Sequence, residues 1–280
     1  MSESKQQKSE LTRQINLLNQ QYSDLKQAVS EIKMQLNNIM LQNQGNTTGI
    51  NILRANTQNF YNELWFANLL HDTIIQSPWL KDKTFSLFGG AANYSFIYSL
   101  YRILDKVNPT NILEMGLGQT TRLTSQYIAY KNPAAHLTVC EHNLEWIDIY
   151  TPELPDADNI DIKHFDLEYF MQDGKQNDKY SGLSEYVKQQ KYDLIIIDGP
   201  IGYGKNLPRT NIFDLINNNN LADDFILIFD DAERAGEQAT IAYTETLLHN
   251  KGVNFASFAR YGSKKQYFIT SQSRSFIHFL

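Results

Sequence analysis

The run Asn111 to Thr121, NILEMGLGQTT, constrains the fold of this chain more than any other segment. Its apolar residues indicate a buried strand, and Gly116 and Gly118 lie in the turn before a helix expected to begin near Thr120. Glycines in such a turn let the backbone approach a bound ligand. The same turn occurs in dinucleotide sites and in many plain turns. Because Thr121 replaces the third glycine of the dinucleotide pattern, close pyrophosphate binding is less favoured here.

From Asn111 onward, short apolar runs alternate with amphipathic stretches. This pattern predicts an α/β fold, a parallel sheet covered by helices on both faces. The predicted strands are Asn111 to Met115, Leu137 to Glu141, Asp161 to His164, Tyr192 to Asp198, Phe225 to Asp230, Val253 to Arg260 and Gln266 to Thr270. The predicted helices are Thr121 to Tyr130, Leu144 to Tyr150, Leu183 to Gln190, Thr210 to Asn217 and Glu233 to Asn250. Only Tyr261 to Lys265 separates the last two strands, which are therefore expected to form an antiparallel hairpin.

The N-terminal part carries apolar residues spaced alternately by four and three. They are Leu11, Ile15, Leu18, Tyr22, Leu25, Val29, Ile32, Leu36 and Ile39, which we call the seam. A seam of about four heptads predicts a coiled coil that joins copies of the chain into a homo-oligomer. The alternative is a helix packed on its own domain, whose apolar stripe is normally wider and follows the 3.6-residue period. The a and d residues mix dimer and higher-order preferences, so the oligomer number stays open.

Four parts are predicted along the chain. Residues 1–45 form the coiled-coil oligomerisation helix, and residues 46–58 form a linker within a polar stretch that contains two glycines. Residues 59–108 form a helical cap or lead-in, with one helix from Phe60 to Ile75 and another from Tyr94 to Lys106. Residues 109–280 form the Rossmann-like core.

Composition excludes several classes of protein. The chain has 25 basic and 31 acidic residues, a net charge of -6 and no strong basic block, which argues against a nucleic-acid partner. Cys140 is the only cysteine, so neither an internal disulfide nor a multi-cysteine metal site is possible. No run approaches the roughly 18 apolar residues of a membrane span, and the first ten residues do not look like a signal peptide. A cytoplasmic protein without a membrane span is expected.

Acidic residues end two of the predicted strands. Glu141 follows Glu114 by about 27 positions and can accept both ribose hydroxyl protons, or it caps a turn. Asp166, just past the next strand, meets the edge of an adenine, or it is the N-cap of a short helix.

Together with the terminal hairpin, these residues resemble the class I S-adenosylmethionine-dependent methyltransferase family, over roughly residues 85–271. The resemblance implies a seven-stranded Rossmann-like methyltransferase sheet and S-adenosylmethionine as the cofactor. It also implies roles for six residues: Glu114, Gly116, Gly118 and Thr121 lie around the methionine and ribose parts, Glu141 binds the ribose, and Asp166 lies by the adenine. The chain departs from the family at Gln119, where many members have a third glycine.

Three carboxylates are expected at one crevice, because Asp198 ends one strand and Asp230 and Asp231 end its neighbour. Carboxylates that converge repel one another unless a cation or a proton intervenes, and oxygen ligands suit Mg²⁺, Mn²⁺ or Ca²⁺. Such an ion would polarise a substrate hydroxyl. The alternative makes Asp198 a substrate-binding residue or general base and makes the other two helix caps. The arrangement also resembles the metal-dependent O-methyltransferases.

The phrase IDGPIGYG resembles a group of enzymes that methylate the sugar hydroxyls of polysaccharides. That resemblance implies Asp198 and Lys205 as catalytic residues, although Lys205 is otherwise a solvated loop lysine. Arg209 and Arg234 either bind an anionic group of the acceptor or form surface ion pairs.

The sequence therefore predicts an S-adenosylmethionine-dependent O-methyltransferase that acts on a small-molecule or glycan hydroxyl, in polysaccharide biosynthesis if the last resemblance holds. Two alternatives stay open. One is a nucleotide-dependent oxidoreductase, and the other is a coiled-coil scaffold whose Rossmann-like domain is inactive.

Overall fold

The computed structural model of the chain describes residues 2–87 and 91–280, with side chains from residue 13 onward except residue 15. Residues 1–57 and 58–280 form two compact units. The first helix, α1, spans Ser2–Ile74 and therefore runs through both units. The side chains of the seam residues Leu11 and Ile15 lie outside the described residues.

The predicted linker, residues 46–58, is helical and continues α1 without a break. Each interior glycine costs a helix about 1 kcal/mol, which good helix formers on either side offset. The hydroxyls of Thr47 and Thr48 also donate to the carbonyl oxygens of Asn43 and Gln44, at 2.9 and 3.0 Å. The predicted helix from Phe60 to Ile75 is thus the last part of α1 and not a separate element.

The seam faces solvent wherever its side chains are described. Val29 is 44% exposed, and the other described members are 53% to 70% exposed. An amphipathic helix whose apolar residues packed on its own unit would bury them, so the seam has no partner within residues 13–57. Self-association through it stays a prediction.

The second unit contains a seven-stranded sheet flanked by helices. Its helices after α1 are α2 (Tyr94–Val107), α3 (Gln119–Tyr130), α4 (Leu144–Tyr150), α5 (Leu183–Tyr186), α6 (Asn211–Asn217) and α7 (Ala235–Asn250). The strands of the sheet are β1 (Asn111–Met115), β2 (His136–Glu141), β3 (Ile160–His164), β6 (Tyr192–Ile197), β7 (Leu221–Phe229), β8 (Phe255–Tyr261) and β9 (Lys265–Ser271). Short 3₁₀ segments cover Thr151–Glu153 and Gln272–Phe279.

The strand order is β3-β2-β1-β6-β7-β9-β8. The first five of these strands pair in parallel, whereas β9 is antiparallel to both β7 and β8. This arrangement confirms the predicted parallel sheet and its terminal antiparallel hairpin. The carboxyl ends of β1, β2, β6 and β7 consequently meet along one edge.

A second hairpin was not predicted. Strands β4 (Leu167–Gln172) and β5 (Lys175–Tyr180) form a separate two-stranded sheet between β3 and α5. Its turn contains Asp173 and Gly174, both with positive φ. Since this hairpin follows Asp166 directly, the alternative in which Asp166 caps a helix is wrong.

Two apolar clusters cover the two faces of the sheet. Ile112, Leu194 and Ile196 point to the cluster that contains α2 and α3, whereas Leu113 and Ile195 point to the cluster that contains α6. Burial on both faces explains why the parallel strands are continuous apolar runs in the sequence. Among the described residues, no helix combines the length and the apolar character needed to cross a membrane.

Candidate active site

The turn between β1 and α3 uses its two glycines differently. Gly116 has φ +104°, and a Cβ on it would lie 3.2 Å from the backbone nitrogen of Gly199. A side chain there would be strained by this conformation and crowded against the Gly199 backbone. Gly118 is extended, with φ −175°. A Cβ on Gly118 would meet no described atom within 4 Å, so this glycine leaves open space beside the turn.

The carboxylate of Glu114 lies beneath this turn, in the interior. It accepts hydrogen bonds from the hydroxyls of Thr120, Thr121 and Thr124, at 2.5, 2.9 and 2.8 Å. Burial raises the pKa of Glu114 to about 7, although the three hydroxyls oppose the shift. The Thr121 hydroxyl also accepts a bond from the Gly118 N–H at 3.0 Å. We therefore expect Glu114 and Thr121 to position the turn, not to contact a ligand as the resemblance implied.

Glu141 ends β2 directly beside the turn. Its Oε2 accepts the Leu117 N–H at 3.1 Å, and its Oε1 accepts the N–H groups of His142 and Asn143 at 2.8 and 2.9 Å. Burial alone would raise the pKa of Glu141, but the His142 side chain and these N–H groups hold it below its usual value. The carboxylate is thus ionised, and Oε2 keeps lone-pair capacity for a further donor such as a ribose hydroxyl.

An open crevice of about 460 Å³ lies above the turn. Its described lining is Ser86, Ala91, Ala92, Leu117, Gly118, Gln119, Trp146, Tyr150 and Asp198. The indole N–H of Trp146 donates to the Leu117 carbonyl at 2.8 Å, and its ring lies 5.2 Å from that of Tyr150. Trp146 was not predicted, although a tryptophan five residues after Glu141 is a recognisable signal. The crevice therefore joins the glycine turn to an aromatic wall.

Asp166 is exposed, and its carbonyl oxygen accepts the N–H of Ser181 at 2.8 Å. It does not belong to the described lining of the crevice. Its role beside an adenine stays a prediction.

The structure brings the three predicted carboxylates together. One oxygen from each of Asp198, Asp230 and Asp231 lies within 4.8 Å of the other two. Burial and the negative charge of Asp230 raise the pKa of Asp198 well above its usual value. Burial acts the same way on Asp231, but Arg209, Lys264 and Arg234 outweigh it and lower the pKa of that carboxyl. We call these three residues the carboxylate cluster.

Two cationic side chains enter the carboxylate cluster. The Nη2 of Arg209 lies 2.9 Å from Asp231 and 3.3 Å from Asp198. The Nζ of Lys264 lies 3.2 Å from Asp230 and 3.3 Å from Asp231. Arg209 is only 2% exposed, so the alternative in which it forms a surface ion pair is wrong. Arg209 and Asp231 both have positive φ, a conformation that costs a non-glycine residue about 1–2 kcal/mol and that clusters at functional sites.

Lys205 does not reach the crevice. Its ammonium forms an ion pair with Asp178 of β5, and the two side chains are 15% and 8% exposed. The prediction of a solvated lysine is therefore wrong. A lysine that donates to a buried carboxylate also has no lone pair for a substrate proton, which argues against Lys205 as the base.

The second unit combines five parallel strands and a terminal antiparallel hairpin with a glycine turn after β1 and a carboxylate at the end of β2. A seven-stranded sheet with this order and one antiparallel strand is typical of class I methyltransferases. The second unit has the class I methyltransferase fold. In this fold the crevice lies where the first two strands deliver their carboxyl ends.

No family model matches the chain, and no curated protein matches its sequence. Solved O-methyltransferase structures match about three quarters of it. An O-methyltransferase from Bacillus cereus in complex with S-adenosylhomocysteine is 15% identical with a TM-score of 0.49, over 75% of this chain and 100% of that chain. A candidate caffeoyl-CoA O-methyltransferase from Staphylococcus aureus is 14% identical with a TM-score of 0.47, over the same shares.

The O-methyltransferase TomG from Streptomyces achromogenes, in complex with S-adenosylmethionine, is 11% identical with a TM-score of 0.44, over 74% of this chain and 88% of that chain.

Proposed function

We propose that the chain is an S-adenosylmethionine-dependent methyltransferase that methylates a hydroxyl oxygen. One observation carries the proposal. The crevice joins the open side of Gly118 to Asp198, whose strand β6 lies beside β1 in the sheet. Residues at the β1 and β2 ends would hold the adenosyl group, and the same crevice continues to the Asp198 carboxylate.

Two features of the crevice, and Glu141 beside its lining residue Leu117, suit the parts of this cofactor. The ionised Glu141 accepts from ribose hydroxyls through Oε2, which has one described partner, the Leu117 N–H. The Trp146 ring offers a flat apolar surface to an adenine. The space beside Gly118 admits the methionine part close to the backbone. When bound, S-adenosylmethionine supplies an electrophilic methyl carbon on a sulfonium sulfur.

Asp198 is the proposed base. Its carboxylate would accept the proton of the acceptor hydroxyl as the hydroxyl oxygen takes the methyl group that the bound cofactor would supply. Its raised pKa brings it closer to working pH, which favours proton transfer in the transition state. The step uses no metal ion, because the carboxylates that would bind one are already paired with Arg209 and Lys264.

For the acceptor we propose a small molecule or sugar that bears a hydroxyl. Support comes from the loop after Asp198, where Ile201 is 65% exposed and Tyr203 is 80% exposed. Large exposed apolar side chains next to a reactive carboxylate suit the apolar face of a sugar or an aryl ring. The resemblance of IDGPIGYG to glycan-methylating enzymes points the same way.

The oxidoreductase alternative fits this turn less well. In dinucleotide-binding folds the third glycine allows the helix to pack closely on the strand. Thr121 occupies that position here, and its hydroxyl donates a hydrogen bond to Glu114 and accepts one from the Gly118 N–H. The scaffold alternative predicts no cofactor binding at all.

Thermal melting with S-adenosylmethionine, S-adenosylhomocysteine or NAD separates the three functions, because a ligand that binds only the folded state raises the melting temperature. We expect the first two compounds to raise it and NAD to leave it unchanged. Glu141→Gln should abolish the rise, whereas Glu145→Gln, an exposed neighbour on α4, should preserve it. A rise with NAD alone, or with none of the three, contradicts the proposal. Methyl transfer from labelled cofactor to hydroxylated acceptors then tests the reaction.

We also propose that copies of the chain associate through α1. The seam spacing continues in the same register beyond Ile39, at Ile50, Leu53, Phe60 and Leu64, all at least 46% exposed. Asn43 and Asn46 occupy the intervening a and d positions, where a polar residue fixes register at some cost in stability. Light scattering should show an oligomer for the wild type and for Ser23→Asp, off the seam, but a monomer for Leu25→Asp. A monomeric wild type contradicts this proposal.

A further inference from the structure

Within the carboxylate cluster, three of the four oxygens of Asp230 and Asp231 accept hydrogen bonds from buried or half-buried donors. Both oxygens of Asp230 have partners, the Gln266 amide at 2.7 Å and the Lys264 ammonium at 3.2 Å. The Oδ2 of Asp231 lies 2.9 and 2.8 Å from the guanidinium groups of Arg209 and Arg234, whereas its Oδ1 accepts no hydrogen bond from the described residues and lies 3.3 Å from the Lys264 ammonium. A divalent ion requires such oxygens at about 2.0–2.6 Å and would have to displace these donors.

The carboxylate cluster already has positive charge beside it without a metal ion. Three cationic side chains lie against it, those of Arg209, Arg234 and Lys264, and Arg234 also lies 3.5 Å from the buried Glu237. The Asp230 side chain is fully buried, and the Lys264 and Arg209 side chains are 13% and 3% exposed. Solvent therefore screens these pairs little. A further double positive charge would face cations in a medium of low dielectric, which is unfavourable.

Lys264 is held in place by the part of α1 that belongs to the second unit. Lys264 lies in the turn between β8 and β9, next to Ser263. Glu63 of α1 accepts the Ser263 N–H at 2.8 Å and the Tyr94 N–H at 2.6 Å. A Cβ on Gly262 would lie 2.0 Å from a Glu63 oxygen, so the turn fits closely against that carboxylate. The position of the ammonium is thus a built feature of the fold.

From this geometry we infer that Lys264 and Arg209 take the place of the divalent ion of metal-dependent O-methyltransferases, and that the carboxylate cluster binds no such ion. The role given to the cluster rests on the proposed function. Lys264 acts as a positioning residue. Its charge holds Asp230 and Asp231 in place, and among the described residues that line the crevice Asp198 supplies the carboxylate. The proton of the acceptor still passes to Asp198, and no ion takes part.

Electron paramagnetic resonance of Mn²⁺ measures binding to the cluster without any assay of activity. We expect wild type and Lys265→Gln, a neighbouring lysine whose ammonium lies 5.4 Å from the Tyr261 ring centre, to leave the signal of free Mn²⁺ unchanged. Lys264→Gln removes the competing charge and should bind Mn²⁺ at least about tenfold more tightly, a difference of about 1.4 kcal/mol. Adding Asp231→Asn to Lys264→Gln should abolish that binding.

Two results would overturn the inference. One is Mn²⁺ binding by the wild type that Asp231→Asn abolishes, and the other is Lys264→Gln binding no more Mn²⁺ than Lys265→Gln does. If Lys264→Gln does not fold, the wild-type titration with Asp231→Asn still decides the question. The Mn²⁺ titration and the methyl-transfer assay can fail independently, because Mn²⁺ binding is measured even if the protein transfers no methyl group. Where transfer is observed, chelation should leave its rate unchanged.

Discussion

Replacing Glu114 by glutamine should change how stability depends on pH. Burial raises the pKa of this carboxyl from an ordinary 4.5 to about 7. In the unfolded chain Glu114 loses its proton near pH 4.5, whereas the folded protein keeps the proton until about pH 7. The stability that the protonated carboxyl contributes is therefore complete below pH 4.5 and is lost as the pH rises through 7.

A shift of this size corresponds to about 3 kcal/mol, of which about 2.5 kcal/mol is lost between pH 5 and pH 8. Glu114→Gln cannot ionise and escapes this loss. The difference in free energy of unfolding between Glu114→Gln and wild type should therefore shift in favour of the variant by about 2.5 kcal/mol from pH 5 to pH 8. Altered bonds to Thr120 and its neighbours add an offset that does not depend on pH.

Urea unfolding followed by circular dichroism at pH 5 and pH 8 measures the effect. The matched control is Glu145→Gln, since Glu145 is exposed on α4 and its difference from wild type should be the same at both pH values. A difference between Glu114→Gln and wild type that is equal at pH 5 and pH 8 would refute the reasoning. It would mean that the folded protein accommodates an ionised Glu114 as readily as water does.

Three further predictions concern the crevice and its support. Asp198→Asn should lower the methyl-transfer rate by about 10²–10⁴-fold and leave the affinity for S-adenosylhomocysteine unchanged. The wild-type rate should rise with pH at values well above the ordinary aspartate range, because the base must be ionised. A rate that changes neither with the mutation nor with pH excludes Asp198 as the base. Gly118→Val should leave the melting temperature of the free protein unchanged yet abolish its rise with S-adenosylhomocysteine, and a persisting rise would place the cofactor elsewhere. Glu63→Gln should lower the free energy of unfolding by about 1–3 kcal/mol, because it weakens the bond to the Ser263 N–H. The control Glu31→Gln, at an exposed position on the same helix, should change the free energy of unfolding little. Equal effects of the two substitutions would show that Glu63 does not anchor the β8–β9 turn.

The sheet could be predicted because most of its strands appear in the sequence as short apolar runs. Buried parallel strands such as Tyr192–Ile197 read as short apolar runs, and helix α4, Leu144–Tyr150, was placed at its observed bounds. The β4–β5 hairpin was missed because its strands are polar and alternate weakly, although Asp173-Gly174 is a known hairpin turn. The linker was predicted from two glycines, but the low helix propensity of glycine did not end α1 there.

The site could be predicted only where it depends on strand ends. Asp198 and Asp231 were expected to converge, because neighbouring parallel strands deliver their carboxyl ends to one edge. Lys264 could not be found in this way, since it reaches Asp230 from a turn 34 residues further along the chain. For Arg209 and Lys205 a surface position was one of two alternatives, and no local pattern in the sequence predicts that a charged side chain will form a buried ion pair.

A crystal structure of the chain with S-adenosylhomocysteine would show directly whether the crevice binds this cofactor. We expect the ribose hydroxyls on Glu141, the adenine against Trp146 and the sulfur facing Asp198 across the crevice. Density for the ligand at another place, or a Glu141 side chain without contact to the ribose, would contradict it.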